Sequence, residues 1–264
     1  MRIFFKKKNT EMVADNNANQ DQLINYSIYV MSKKEKMLSV IGGFMIGFTA
    51  GYLYFNNIII GIIIGLFCGY KSISIYRNMK KNKRLKELRI QFRDMLESLS
   101  NSYTVGMTAT RAFKSAYEDM KMEHGEKSYI TKELEWICLM HNNGEEIKDL
   151  LLNFANRSGI DDIKSFANVF NVADDLAGDR PRIIRETRDM ISERIEVELE
   201  IQTMITGQRN QLNILAVMPV IMALMTRSFE TNTGSIAVII IKLVALGIFV
   251  FAYWLGTKIV DIKV

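Results

Sequence analysis

Residues 38–75 read LSVIGGFMIGFTAGYLYFNNIIIGIIIGLFCGYKSISI, two apolar spans, Leu38–Phe55 and Ile58–Ile75, broken only by Asn56-Asn57. A helix crossing a hydrocarbon core of ~30 Å needs about 20 mostly apolar residues, so this stretch predicts a helical hairpin through a membrane. A second apolar pair lies near the other end of the chain, Leu212–Phe229 and Ile236–Leu255. The third span is the weakest, because Asn213 and Pro219 fall inside it and require neighbouring helices to satisfy them. The expectation is an all-α integral membrane protein with four transmembrane helices bracketing a charged middle block.

The near-zero mean hydropathy of the 264 residues averages two opposite regimes, and so does the net charge of +5. Residues 1–36 carry seven Lys/Arg against four acids, and residues 71–93 nine against one. Residues 94–206 carry 13 against 22, and residues 207–264 five against two. Basic side chains thus crowd the ends of the apolar spans while the block between them is acidic. Nucleic-acid binding would need the basic patch on the domain itself, so it is excluded. Contact with anionic membrane lipids is expected instead, through a belt of Lys71, Arg77, Lys80, Lys81, Lys83 and Arg84. The belt is also the ordinary topology signal. Lys33, Lys34 and Lys36 before the hairpin and the belt after it place both ends of the hairpin on the cytoplasmic side; Arg209, Lys258 and Lys263 do the same for the second pair. The resulting layout is a polar, basic cytoplasmic segment (1–36), a transmembrane hairpin (37–77), a cytosolic helical block (78–208), a second transmembrane pair (209–257) and a cytoplasmic tail (258–264). The Asn-rich stretch Asn9–Asp21 reads as a disordered tail or linker. The protein is expected in the cytoplasmic membrane with both termini and the central domain cytosolic.

Glycines recur every four residues in both members of the hairpin: Gly43, Gly47 and Gly51 in the first, Gly61, Gly65 and Gly69 in the second. Each triplet lines one helix face. Folding at Asn56-Asn57 sets Gly43 against Gly69, Gly47 against Gly65 and Gly51 against Gly61. Such small-residue faces let helix backbones approach closely, within the hairpin or against another copy.

The middle block has one proline, Pro181, and helical spacing throughout: Leu88, Phe92, Met95, Leu96, Leu99 and Tyr103, and later Ile184, Ile191, Ile195, Leu199 and Ile205. Three times an apolar helix stops near a glycine and an amphipathic one begins, at Gly106, Gly144 and Gly178. Glycine at C′ tolerates the left-handed backbone that ends a helix, and Thr108, Asn143 and Asp179 are cap-type residues for the helices that follow. Three hairpins of this kind predict a six-helix bundle. Its last helix should run about 25 residues from Pro181 into the third span.

Chemistry is sparse. Cys68 lies in the second span and Cys138 in the charged block, so no disulfide is expected and the block suits a reducing compartment. Cys138 and His141 are one helical turn apart, but no CxxC or HExxH accompanies them, and structural metal sites take about four ligands. The pairs Glu145-Glu146, Asp161-Asp162 and Asp174-Asp175 are of a kind that binds cations, but Glu145 and Asp161 lie where helices should begin, where carboxylates oppose the positive dipole end, and that reading is preferred. His124 completes the histidines. No phosphate-binding loop or nucleophile elbow is present. The sequence therefore assigns no catalytic, cofactor or metal residues and reads as a non-enzyme.

The segments QFRDMLESLSNSYTVGMTATRAF, NNGEEIKDLLLNFA and FANVFNVADDLAGDRPRIIRETRDMISERIEVELEIQTMITGQR resemble the cytoplasmic F domain of bacterial type II secretion-system platform proteins. The tail GSIAVIIIKLVALGIFVFAYWLGTKIVDIKV is similar to that of tight-adherence (Flp/Tad) pilus assembly platform proteins of the TadB/TadC type, and a hairpin before one F domain with a second pair after it is that subfamily's layout. The likeness covers about residues 33–264 and leaves TadB against TadC open. It implies a membrane scaffold, homo- or hetero-oligomeric, that couples a cytosolic secretion ATPase and a paralogous platform subunit to pilin assembly. The alternative class is a membrane sensor or signalling protein with a helical cytoplasmic output, against which stand the very short extracytoplasmic loops. A small transporter is a third class. Away from their ends the spans hold one ionisable residue, Lys242, expected to snorkel.

Overall fold

The computed structural model describes residues 24–175, 180–226 and 236–260. The Asn9–Asp21 stretch, Gly178, Asp179, Arg227, Glu230, Lys263 and the end of the third apolar span lie outside them. Eight helices make up the described residues: α1 (Lys33–Phe55), α2 (Ile58–Thr104), α3 (Ala109–His124), α4 (Tyr129–Asn142), α5 (Ile147–Ser158), α6 (Asp161–Asp175), α7 (Arg180–Thr226) and α8 (Ile236–Val260). The protein is all-α. Among the described residues three helices are long and apolar enough to cross a membrane: Lys33–Phe55, Ile58–Thr104 and, within α8, Ile240–Ile259. The expected third span is not one of them. Its residues form the C-terminal part of α7, where Asn213 and Pro219 interrupt the apolar run.

Two helices are far longer than a bilayer needs. At 47 residues each, α2 and α7 extend about 70 Å at the usual 1.5 Å rise. The expected 25-residue helix from Pro181 is thus continuous with the apolar segment that follows it. Pro219 sits inside α7, where its missing N–H removes one backbone bond.

The chain divides into two compact units. One joins the segment ending at Tyr29 to Lys81–Thr187; the other joins Val30–Lys80 to the residues from Arg188 onward.

The first unit is a helical domain in which α3 packs on α4, α4 on α5 and α5 on α6. Its core is aromatic. Phe92 of α2 stands 5.8 Å from Phe166 and 6.5 Å from Phe154, and Phe113 stands 5.7 Å from Phe170, all edge to face. The whole α2 series Leu88, Phe92, Met95, Leu96, Leu99 and Tyr103 is buried, so the helical spacing of these residues marks the face that packs. Helix ends are closed by local chemistry. Gly106 (φ +81°) and Gly144 (φ +100°) adopt the left-handed backbone. At both turns the N–H after the glycine reaches back five residues, Met107 to Ser102 at 3.1 Å and Glu145 to Met140 at 3.1 Å, which is the Schellman arrangement. The capping residues differ from expectation. Thr108 occupies the N-cap of α3 without a side-chain bond. Asn143 is the C-cap of α4, and Glu146 is the N-cap of α5, because the glycine turn consumes the residues between them.

In the second unit α1 and α2 fold back at Asn56-Asn57. Asn56 takes the left-handed conformation (φ 51°) and ends α1. The Asn57 side chain accepts the Ile59 N–H at 2.9 Å and so starts α2. Two asparagines suffice because each closes one helix end. At the other end of α1 the Glu35 carboxylate accepts the Ser32 N–H at 2.9 Å.

Candidate functional site

The glycine faces meet, with an offset. A Cβ on Gly51 would lie 3.2 Å from Gly61 Cα, and one on Gly47 3.1 Å from Gly65 Cα. Gly43 and Gly69 do not face each other. A Cβ on Gly43 would strike Ser72 Cβ at 2.6 Å, while one on Gly69 would approach the Val40 carbonyl at 3.2 Å. The helices diverge from the simple mirror register here because Ser39 and Ser72 hydrogen-bond at 3.1 Å and the Phe44 side chain lies beside Gly69.

The basic belt is not uniform. Lys71, Arg77 and Lys83 are exposed, and Lys80 and Lys81 are half-buried, with Lys80 lying 5.6 Å over the Tyr76 ring. Arg84 is directed elsewhere. Its guanidinium donates to the carbonyls of Asn25, Tyr26 and Ile28 at 3.0, 3.0 and 2.8 Å and stacks on the rings of Tyr26 and Tyr29. It belongs to the helical domain and is removed from the lipid-facing set.

These contacts outline a site that the sequence did not reveal. The segment Ile24–Tyr29 is strapped onto the helical domain by a buried polar network. Tyr26 is wholly buried, edge to face with Tyr129 at 5.7 Å and Phe154 at 6.4 Å. Its hydroxyl donates to Glu133 Oε1 at 2.8 Å. Glu133, only 2% exposed, receives both terminal nitrogens of Arg157, at 2.9 and 2.5 Å. This forked pairing is the strong form of the carboxylate–guanidinium bond. Arg157 also donates to Asn153 at 2.7 Å and to the Ile24 carbonyl at 3.2 Å, and lies over the Trp136 ring. Its own carbonyl accepts the Tyr26 N–H at 3.0 Å. Burial, and then the Glu133 charge, push the Tyr26 phenol far above its ordinary range, so it stays a neutral donor. The network neutralises a buried charge, and the strap supplies the cover. Glu133 follows Ile130 by three residues and precedes Ile137 by four, on the buried face of α4. A carboxylate on an apolar face was the available signal.

The other polar residues form structural ties. His141 Nδ1 donates to the Glu145 carbonyl at 2.9 Å, and Nε2 meets Thr110 Oγ1 at 2.8 Å. Both ring nitrogens are therefore engaged, and His141 links α3, α4 and the Gly144 turn. Cys138 shares with it a cleft of about 370 Å³ between α3 and α4, lined also by Lys114, Tyr117 and Glu135. Burial pushes the Cys138 thiol up, away from the thiolate needed for reactivity. Asp162 is buried and paired with Arg89 at 2.5 Å, so this acid binds a guanidinium besides opening α6. Asp161 is exposed, and the side chains of Asp174 and Asp175 lie outside the described residues. Asp94, Glu123 and His124 bring potential ligand atoms within 4.8 Å of one another, a grouping across helices that spacing in the chain does not show. Arg93 already pairs with Asp94 at 2.9 Å and His124 hydrogen-bonds Asp94 at 3.0 Å, so the Asp94 carboxylate is engaged by both.

No protein-family model matches the chain, and no curated protein or solved structure shows significant similarity to it.

Proposed function

We propose that this chain is a membrane-embedded assembly platform: four transmembrane helices, the third formed by the C-terminal part of α7, around a cytosolic six-helix bundle. In this reading it serves a tight-adherence pilus or related secretion machine and carries out no catalysis of its own. The observation that carries the proposal is the continuity of α2 and α7. Each is an unbroken helix of 47 residues that is apolar over one part and belongs to the helical domain at its other end. In this reading each helix, its backbone continuous from the apolar part into the domain, relays displacement between them. The acidic, helix-only domain supplies a docking body for a motor ATPase and a second platform subunit. The two-residue turn Asn56-Asn57 leaves little to bind an outside signal, which disfavours a sensor.

Affinity purification from native membranes tests this. A secretion ATPase and a paralogous platform subunit are expected to accompany the protein, and its deletion is expected to abolish pilus display. Failure of both would remove the reading.

A further inference from the structure

The second unit contains an apolar cavity of about 420 Å³ to which α1, α2, α7 and α8 all contribute, among them Gly51, Ile64, Leu215 and Phe249. Its lining is almost wholly hydrocarbon. Leu215, Phe249 and Val250 are exposed, so the cavity opens sideways rather than being sealed. Hydrogen bonds mark its two ends. Tyr54 donates to the Lys242 carbonyl at 3.1 Å, tying α1 to α8, and the Tyr253 hydroxyl stands 3.4 Å from Asn213 Oδ1, tying α8 to α7.

The α7–α8 contacts also fix a register. Asn213 meets Tyr253, and Leu212 packs at Gly256, where a Cβ would stand 2.7 Å from Leu212 Cδ2. Continuing this antiparallel pairing by one turn brings Arg209 level with Lys258. Both are exposed, and Lys258 Nζ lies 5.1 Å over the Trp254 ring. At this end the cavity lining stops at Leu212 of α7 and Tyr253 of α8; Arg209 and Lys258 follow just beyond it on the same two helices, with Trp254 beneath Lys258, and Trp and Tyr are residues that settle at headgroup depth. Basic pockets between transmembrane helices on the cytoplasmic side take anionic lipid headgroups.

Size decides what the apolar part accepts. A bilayer-spanning helix about 10 Å wide and ~30 Å long occupies about 2,400 Å³, several times the cavity. A single flexible hydrocarbon chain is of comparable size and can leave its end outside the open side.

We propose that this cavity is a binding site for an anionic glycerophospholipid, with one acyl chain in the cavity and the phosphate facing Arg209 and Lys258. The proposal rests on the four-span reading, which puts this mouth at the cytoplasmic surface. A retained lipid would fill the space that four helices leave open and hold the α7–α8 pair against the hairpin.

The test uses the full chain, reconstituted with equal phosphatidylglycerol and phosphatidylcholine, re-extracted in mild detergent and weighed by native mass spectrometry. Several-fold more retained phosphatidylglycerol than phosphatidylcholine is expected. Arg209→Gln with Lys258→Gln should bring that ratio close to one. Ala216→Phe, which fills the cavity, should reduce retention of both lipids; Leu215→Trp repeats this if the first variant fails to fold. Equal retention of the two lipids by the unaltered protein overturns the proposal, as does retention unchanged in the variants or a second copy of the chain seated in place of lipid. A cysteine at Thr233, with Cys68 and Cys138 replaced by serine, separates the two readings. If an impermeant thiol reagent fails to label it from outside, the four-span topology falls and the site with it. If it is labelled and phosphatidylglycerol is not retained, only the lipid site falls.

Discussion

The α1–α2 hairpin and the helical domain are both all-helical, yet opposite means hold them together. The hairpin works by subtraction: glycines at 47, 51, 61 and 65 remove side chains so that backbones come within reach. The domain works by addition, with Phe92, Phe113, Phe154, Phe166 and Phe170 interleaved in edge-to-face and tilted pairs. The difference follows from the solvent. Within lipid, apolar side chains gain nothing by leaving one hydrocarbon for another, so close backbone packing must supply the energy. In water, large apolar groups gain most by burial. The two regions should therefore fail in opposite ways, one when atoms are added and the other when they are removed.

The largest effect is expected at the buried charge of the domain. Glu133→Ala leaves the Arg157 guanidinium in the interior without its forked partner, a change that costs roughly 3–5 kcal/mol where one member of a buried pair is lost. A markedly lower melting midpoint of the full-length protein in detergent checks it, and the double variant with Arg157→Met should recover much of the loss. An undisturbed midpoint for the single variant would mean that the pair is not buried as described. Next comes Tyr26→Phe, which keeps the ring and removes only the hydroxyl donated to Glu133. A bond to a charged group is worth about 1.5–3 kcal/mol, and this variant separates the strap's hydrogen bond from its packing.

In the hairpin, Gly47→Val inserts atoms where even a Cβ would be 2.7 Å from Cys68 Cβ. Overpacking of this kind costs about 1–3 kcal/mol. Weakened disulfide trapping between cysteines introduced at Ser39 and Ser72 would report the splaying, while the helical domain's own unfolding stays unchanged. Gly144→Ala should cost about 1 kcal/mol, since a left-handed φ of +100° disfavours any Cβ; a lowered midpoint without loss of helical circular dichroism is the expected reading.

The smallest effect is the alkaline limb of stability. The Tyr26 phenol is held protonated in the folded state, so it contributes stability that is complete below the ordinary phenol value of 10.0. Above that value the unfolded chain loses the proton that the folded one keeps, and stability falls as pH rises. The decline above pH 10.0 should be shallower in Tyr26→Phe than in the unaltered protein, and identical slopes would exclude this origin.

Periodicity carried the fold class. The spacing of Leu88, Phe92, Met95, Leu96, Leu99 and Tyr103 names the buried face of α2 without any tertiary information, because helix geometry alone determines which residues share a side. The apolar spans were equally visible for α1, α2 and α8, since length and composition set the requirement. Harder to read was everything that depends on distant pairing. Tyr26 sits in the short stretch LINYSIYVM, outside any helical repeat, and its partner is 107 residues away. Arg84 looked like its basic neighbours, since only the docked strap separates its role from theirs. The shift of Gly43 from Gly69 to Ser72 arises from one serine pair and one phenylalanine, details too small for a repeat of four to encode.

The strap also has a consequence for biogenesis. Tyr26 leaves the ribosome before the first apolar span, but Glu133 follows 107 positions later and Arg157 another 24. At ~5–20 residues per second, the tyrosine waits about 5–20 s for its carboxylate. Both helices of the hairpin are synthesised during that interval, so the segment preceding them is seated only after they have been made. Docking of the N-terminal segment thereby waits until α4 and α5 have both been made.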